Sequence, residues 1–118
     1  MSISRNEILM ACRPILENAH RHSSGTRGFL TAYQIWYILL EENIEFCDHL
    51  RSGCGGAVGA GGGDPDGPAK RIADALGHSQ DTIETHYFDP RKAFFGNNPE
   101  SAVKASGQVC GLFRLRGE

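Results

Sequence analysis

Cysteines, histidines and a glycine-rich segment are the residues of this 118-residue chain whose types and spacing could do chemistry. Cys47-x-His49 with Cys54 nearby, and His20-x-His22, carry metal-ligand residue types. Structural zinc takes paired ligands such as C-x-x-C with a second pair downstream. No such pairs occur here, so no metal ligand set is assigned. His20 and His22 read instead as exposed groups at a helix end, where positive charge complements the macrodipole. A nucleophilic site needs a neighbouring base and a third orienting group. Cys47, Asp48 and His49 stand too close in sequence to face one another, and the chain has no G-x-S-x-G elbow. No catalytic residue is assigned, and the chain is read as non-enzymatic.

Gly53 to Gly67, GCGGAVGAGGGDPDG, holds eight of the fifteen glycines. Glycine-freed backbone N–H groups ahead of a helix can surround a phosphate. A P-loop, however, needs G-x-x-x-x-G-K followed by Ser or Thr, and a dinucleotide turn needs G-x-G-x-x-G after a strand. Here Asp64 stands where the third glycine belongs after Gly59 and Gly61, and Asp66 adds a second carboxylate. Two negative charges repel a phosphate, so no cofactor is assigned and the segment reads as a flexible loop. The four cysteines, Cys12, Cys47, Cys54 and Cys110, lack a framework spacing and read as reduced, Cys12 and Cys110 as core thiols.

The elements that must position these residues follow from periodicity. Ser4-Arg5-Asn6-Glu7 fits a capping box, and Ile8, Leu9, Cys12, Ile15, Leu16 and Ala19 follow as one helical stripe. Pro14 inside it removes one intrahelical bond, which predicts a kink or break near Met10 to Pro14. Thr31-Ala32-Tyr33-Gln34 repeats the capping box after a polar connector, and Ile35, Trp36, Leu39 and Leu40 supply a buried face to about Asn43. Ile44, Cys47 and Leu50 at spacings of three favour a further helical turn or two. Pro68 suits the first position of a third helix, with Ala69, Ile72, Ala73 and Leu76 inward and Gly77 placed for a left-handed stop.

From Thr82 the period becomes two, with Ile83, Thr85 and Tyr87 alternating with Glu84, His86 and Phe88. Ala93 to Phe95 and Ala102 to Lys104 flank the turn Gly96-Asn97-Asn98-Pro99. Val109 to Leu115 forms a last strand, apolar on both faces near its middle and therefore central. The fold class expected is α+β in one domain over 1–118: three helices followed by a small antiparallel β-sheet.

Composition bounds the function. Hydrophobic residues at 40% and charged residues at 22% match a globular domain, and the net charge of -2 divides evenly along the chain. No basic half advertises a polyanion partner. The longest apolar run, Ile35 to Leu40, is far shorter than a membrane span, and Met1 to His22 lacks a signal peptide's apolar centre. No membrane partner is expected, and a cytoplasmic location follows by default.

Leu76-Gly77-His78-Ser79, with Tyr87 downstream, resembles the segment of tyrosine recombinases that carries an active-site histidine, and Asp48-His49-Leu50-Arg51 is similar to that family's H-x-x-R box. Aspartate stands where the box needs histidine, no separate nucleophilic tyrosine follows, and no role is carried over. The order of three helices then a hairpin is similar to winged helix-turn-helix domains. That resemblance implies that the helix from Pro68 enters the major groove and the hairpin forms the wing. Lys70, Arg71, Arg91, Lys92, Arg114 and Arg116 would then contact phosphates. The long interval between Asn43 and Pro68 departs from that family's short turn. The chain also looks like small bacterial proteins of no assigned activity that share Phe29-Leu30-Thr31-Ala32-Tyr33-Gln34 and a Val109 to Leu115 ending. Tyr33 and Tyr37, four apart on the second helix, are the residues expected at a protein interface. Two partner classes stay open: DNA, and a protein partner or second copy forming a homodimer.

Overall fold

A computed structural model describes residues 3–52, 67–92, 94–95, 103–104 and 110–116. The glycine-rich stretch 53–66 and the turn 96–99 lie outside the described residues, and the expectations placed on them with them. The elements run α1 (Arg5–Glu17), α2 (Ala32–Glu42), α3 (Ile44–Ser52), α4 (Pro68–Gly77), β1 (Ile83–Phe88), β2 (Phe94–Phe95), β3 (Val103–Lys104) and β4 (Cys110–Leu115). The architecture is α+β, as expected.

Both capping boxes are formed. The Glu7 backbone N–H donates to Ser4 Oγ at 3.2 Å, and Gln34 N–H donates to Thr31 Oγ1 at 3.1 Å, with the Glu7 and Gln34 side chains accepting from the cap backbones. Each box satisfies two donors that a helix start leaves orphaned. Helix α1 runs unbroken through Pro14. Met10 and Pro14 both lie on its exposed side, where water can replace the missing bond.

The second helical stretch is divided, giving four helices. Asn43, at φ -149° and ψ 66°, ends α2, and its side-chain carbonyl accepts from Phe46 N–H at 3.3 Å to start α3. Asparagine can serve both ends because its short side chain competes for nearby backbone. Gly67 caps α4 with Pro68 at the first helical position. Gly77 does not adopt the left-handed conformation: Gly25 is the one glycine at positive φ among the described residues. The final carbonyls of α4 are instead taken by Ser79 Oγ, donating to Ala75, and by His78 N–H, donating to Asp74, so no left-handed stop is required.

Ile8, Cys12 and Leu16 of α1, Ile35, Trp36 and Leu39 of α2, Cys47 and Leu50 of α3, and Ile72 and Leu76 of α4 converge on Ile83 and Phe113 of the sheet in one core. Burial of these side chains supplies the main driving force for folding. Strands β1 and β4 pair antiparallel, with Ile83 opposite Leu115 and Glu84 opposite Arg114. Leu30 exchanges two hydrogen bonds with Phe113 on the other side, at 2.9 and 2.8 Å. Strand β4 thus has β1 along one side and a single bridge to Leu30 on the other; among the described residues the sheet is two-stranded, short of the central placement that its two apolar faces predict. A Cβ on Gly111 would stand 2.8 Å from the Phe113 ring, so glycine makes room for that ring to lie along its own strand. Tyr87, opposite Gly111, is 67% exposed, whereas its alternation with Ile83 and Thr85 suggested the inward face. The β2–β3 pair sits within the β1–β4 connection.

Candidate functional site

The six basic residues divide into two groups. Arg114 faces Glu84 across the β1–β4 ladder, Nε donating to Oε1 at 3.1 Å and Nη2 to Oε2 at 3.2 Å, while Nη1 donates to the Arg27 carbonyl at 3.2 Å. Its guanidinium stacks 4.2 Å from the Phe29 ring centre, and His86 meets the same ring edge-on at 5.2 Å. Hydrogen bonding by His86, then by Arg114, holds the Glu84 carboxyl below the usual carboxylate range. Arg116 donates to the carbonyls of Gln80 and Ile83 at 2.8 and 3.2 Å, closing the strand end onto the turn after α4. Arg71 donates to the Ile3 carbonyl at 3.2 Å, tying α4 to the segment before α1. Arg71, Arg114 and Arg116 of the six thus have donors engaged with carboxylate and backbone, which a phosphate would have to displace.

Lys70, Arg91 and Lys92 stand differently. Lys70 Nζ pairs with Asp74 at 2.8 Å, both side chains half-exposed. Arg91 Nε donates to Asp89 at 2.8 Å with its own side chain 87% exposed, and these bonds hold the Asp89 carboxyl below its ordinary value. Exposed pairs of this kind contribute little to stability, so an incoming anion can take the cation over. Lys92, at φ 67°, turns the chain after Pro90 and exposes its ammonium. On α4 the solvent face is Lys70, Asp74 and His78, with Ala73 and Gly77 beside them as small residues that permit close approach. Helix α2 packs directly on α4 despite the long interval between them in sequence.

Of the two tyrosines expected at an interface, Tyr33, in the first turn of α2, is buried at 7% exposure among the core residues, and Tyr37 is half-buried, with desolvation raising its pKa. Trp36 is fully buried, and its Nε1 has no hydrogen-bond partner among the described residues. Cys12, Cys47 and Cys110 are free and buried; burial pushes Cys12 up to about 12, and Cys47 and Cys110 up to about 11. Thiols held protonated are poor nucleophiles and ligands. Cys47 points inward while Asp48 and His49 are exposed, so the three do not converge. His20 and His22 fall beyond the last turn of α1, in a tight hairpin where Arg21 pairs with Arg27 through the backbone and Gly25 takes φ 91°. The α1 C-terminus is closed by Asn18 Nδ2, donating to the Pro14 carbonyl, and by Arg27 Nε, donating to that of Glu17. The histidines therefore do not serve the helix dipole.

Sequence reasoning missed the Phe29–Arg114–Glu84 cluster. Glu84 and Arg114 are thirty residues apart, and strand register alone places them opposite each other. The chain matches no protein-family model, no curated protein and no solved structure.

Proposed function

We propose that the chain is a non-enzymatic binding module of winged-helix type whose partner is nucleic acid, with α4 as the groove-facing helix and the β1–β4 connection as the wing. The observation that carries this reading is the placement of α4. It packs on α2, opens at Pro68 with a solvent face of Lys70, Ala73, Asp74 and Gly77, and is followed directly by the β1–β4 ladder, whose connector begins at Arg91 and Lys92. A helix held by a second helix and flanked by a hairpin can enter a major groove while basic residues at the hairpin base hold phosphates. The phosphate contacts assigned are Lys70, Arg91 and Lys92.

Fluorescence anisotropy with a labelled duplex across a salt series tests this. Binding should weaken steeply as salt rises, because counterions released by phosphate neutralisation drive it. The Lys70→Ala, Arg91→Ala, Lys92→Ala triple variant should bind more weakly on every sequence and flatten the log–log salt slope by up to about 3, roughly one for each cation removed. Binding that ignores both salt and the triple variant excludes this face. The alternative, a protein-interaction or self-associating accessory domain, is favoured by a separate observation: large apolar side chains of Met10, Ile44 and Tyr87 exposed to solvent.

A further inference from the structure

We infer that a second copy of this chain docks head to tail, the acidic corner around Ile44 of one copy seating in the arginine-rimmed groove beside Met10 of the next. Two of the large exposed apolar side chains have oppositely charged surroundings. Met10, 75% exposed, edges a hollow of about 440 Å³ between α1 and the start of β1, floored by Leu9, Leu16, Ile83 and Leu115. Arg5 and Arg13 stand on its rim, Arg13 paired with Glu17 at 3.0 Å. An adjoining hollow of about 430 Å³ adds Arg27 and Arg116, which keep their charge while donating to the carbonyls of Glu17, Gln80 and Ile83, against the carboxylates of Asp81 and Glu17. The groove is thus apolar at its base and positive at its edge.

Ile44 lies at the α2–α3 corner and is 52% exposed. Around it Glu41, Glu42, Glu45 and Asp48 are all exposed, and no salt bridge among the described residues engages any of them. The nearby cation, Arg51, is turned onto the Trp36 ring at 5.2 Å. An apolar knob among exposed carboxylates, which no described residue pairs, complements in charge an apolar groove edged by arginines. Knob and groove are different surfaces of one chain, so the contact is heterologous: it closes into a ring if the rotation permits and otherwise propagates. It uses none of Lys70, Arg91 or Lys92 and is independent of nucleic-acid binding.

Sedimentation velocity and light scattering over a concentration series test it. The unaltered chain should self-associate at low salt, and less as salt screens the rims. Ile44→Arg, which spoils the knob, and Met10→Glu, which spoils the groove, should each weaken association roughly tenfold or more. Both positions are exposed, and thermal melts by circular dichroism should match the parent. Mixed together, the two variants should form a one-to-one complex, because one keeps an intact groove and the other an intact knob. A parent monomeric at every concentration, a variant that associates as the parent does, or a mixture that stays monomeric would each overturn the inference.

Discussion

Arg114 on β4 and Arg116 just past it carry the same charge as the cations at the start of α4 and after β1 and do opposite work. Arg114 is 23% exposed, bonded to Glu84 and stacked on Phe29, and Arg116 closes the strand end on two carbonyls. Lys70, Arg91 and Lys92 face water, and the pairs that Lys70 and Arg91 make are ones that salt weakens. A basic residue is available to a partner when nothing inside the molecule needs it. Arginine's rigid fork suits it to internal carboxylate and carbonyl acceptors, which is why Arg114 and Arg116 are taken first.

Substitution on the two sides should separate them sharply. Arg114→Ala removes three hydrogen bonds and the stacking on Phe29, leaving the Arg27 carbonyl without this donor and Glu84 with its His86 bond. A loss of about 2 kcal/mol in urea unfolding is expected. A change as small as a surface pair would make Arg114 equivalent to the exposed group and break the contrast.

Acid should act on the same cluster next. With its folded pKa below the unfolded value, Glu84 stabilises the fold above the ordinary carboxylate range, and this contribution is lost as pH falls through the folded value. Glu84→Gln should flatten the acid limb of the stability curve measured by chemical denaturation. An unchanged limb would place the acid sensitivity elsewhere.

The smallest effect belongs to the exposed side. The Lys70→Ala, Arg91→Ala, Lys92→Ala triple variant should keep its unfolding free energy within about 0.5 kcal/mol of the parent. A larger loss would show that these cations also hold the fold together.

Local signals made much of this architecture legible. The Ser4 and Thr31 capping boxes, Pro68 at a helix start and the doubly apolar Val109 to Leu115 stretch each predict a feature that the structure contains. These are short-range effects, decided within one helical turn or one strand. The bonding partners of Arg71, Arg114 and Arg116 were not legible, because their acceptors lie far away in sequence: Glu84 for Arg114, Ile3 for Arg71, Gln80 and Ile83 for Arg116. Helical spacing puts Tyr33 on the same side as Tyr37, but tertiary packing sets their exposure: Tyr33 is buried and Tyr37 half-buried.

Amino-acid order alone determined where helices start, which faces are apolar and that strands follow the helices, since capping, periodicity and side-chain polarity act over a few residues. Tertiary structure decided which charges remain for a partner and which apolar side chains stay uncovered. Both depend on groups brought together across the chain, where a buried or half-buried acceptor claims its donor before solvent or a ligand can.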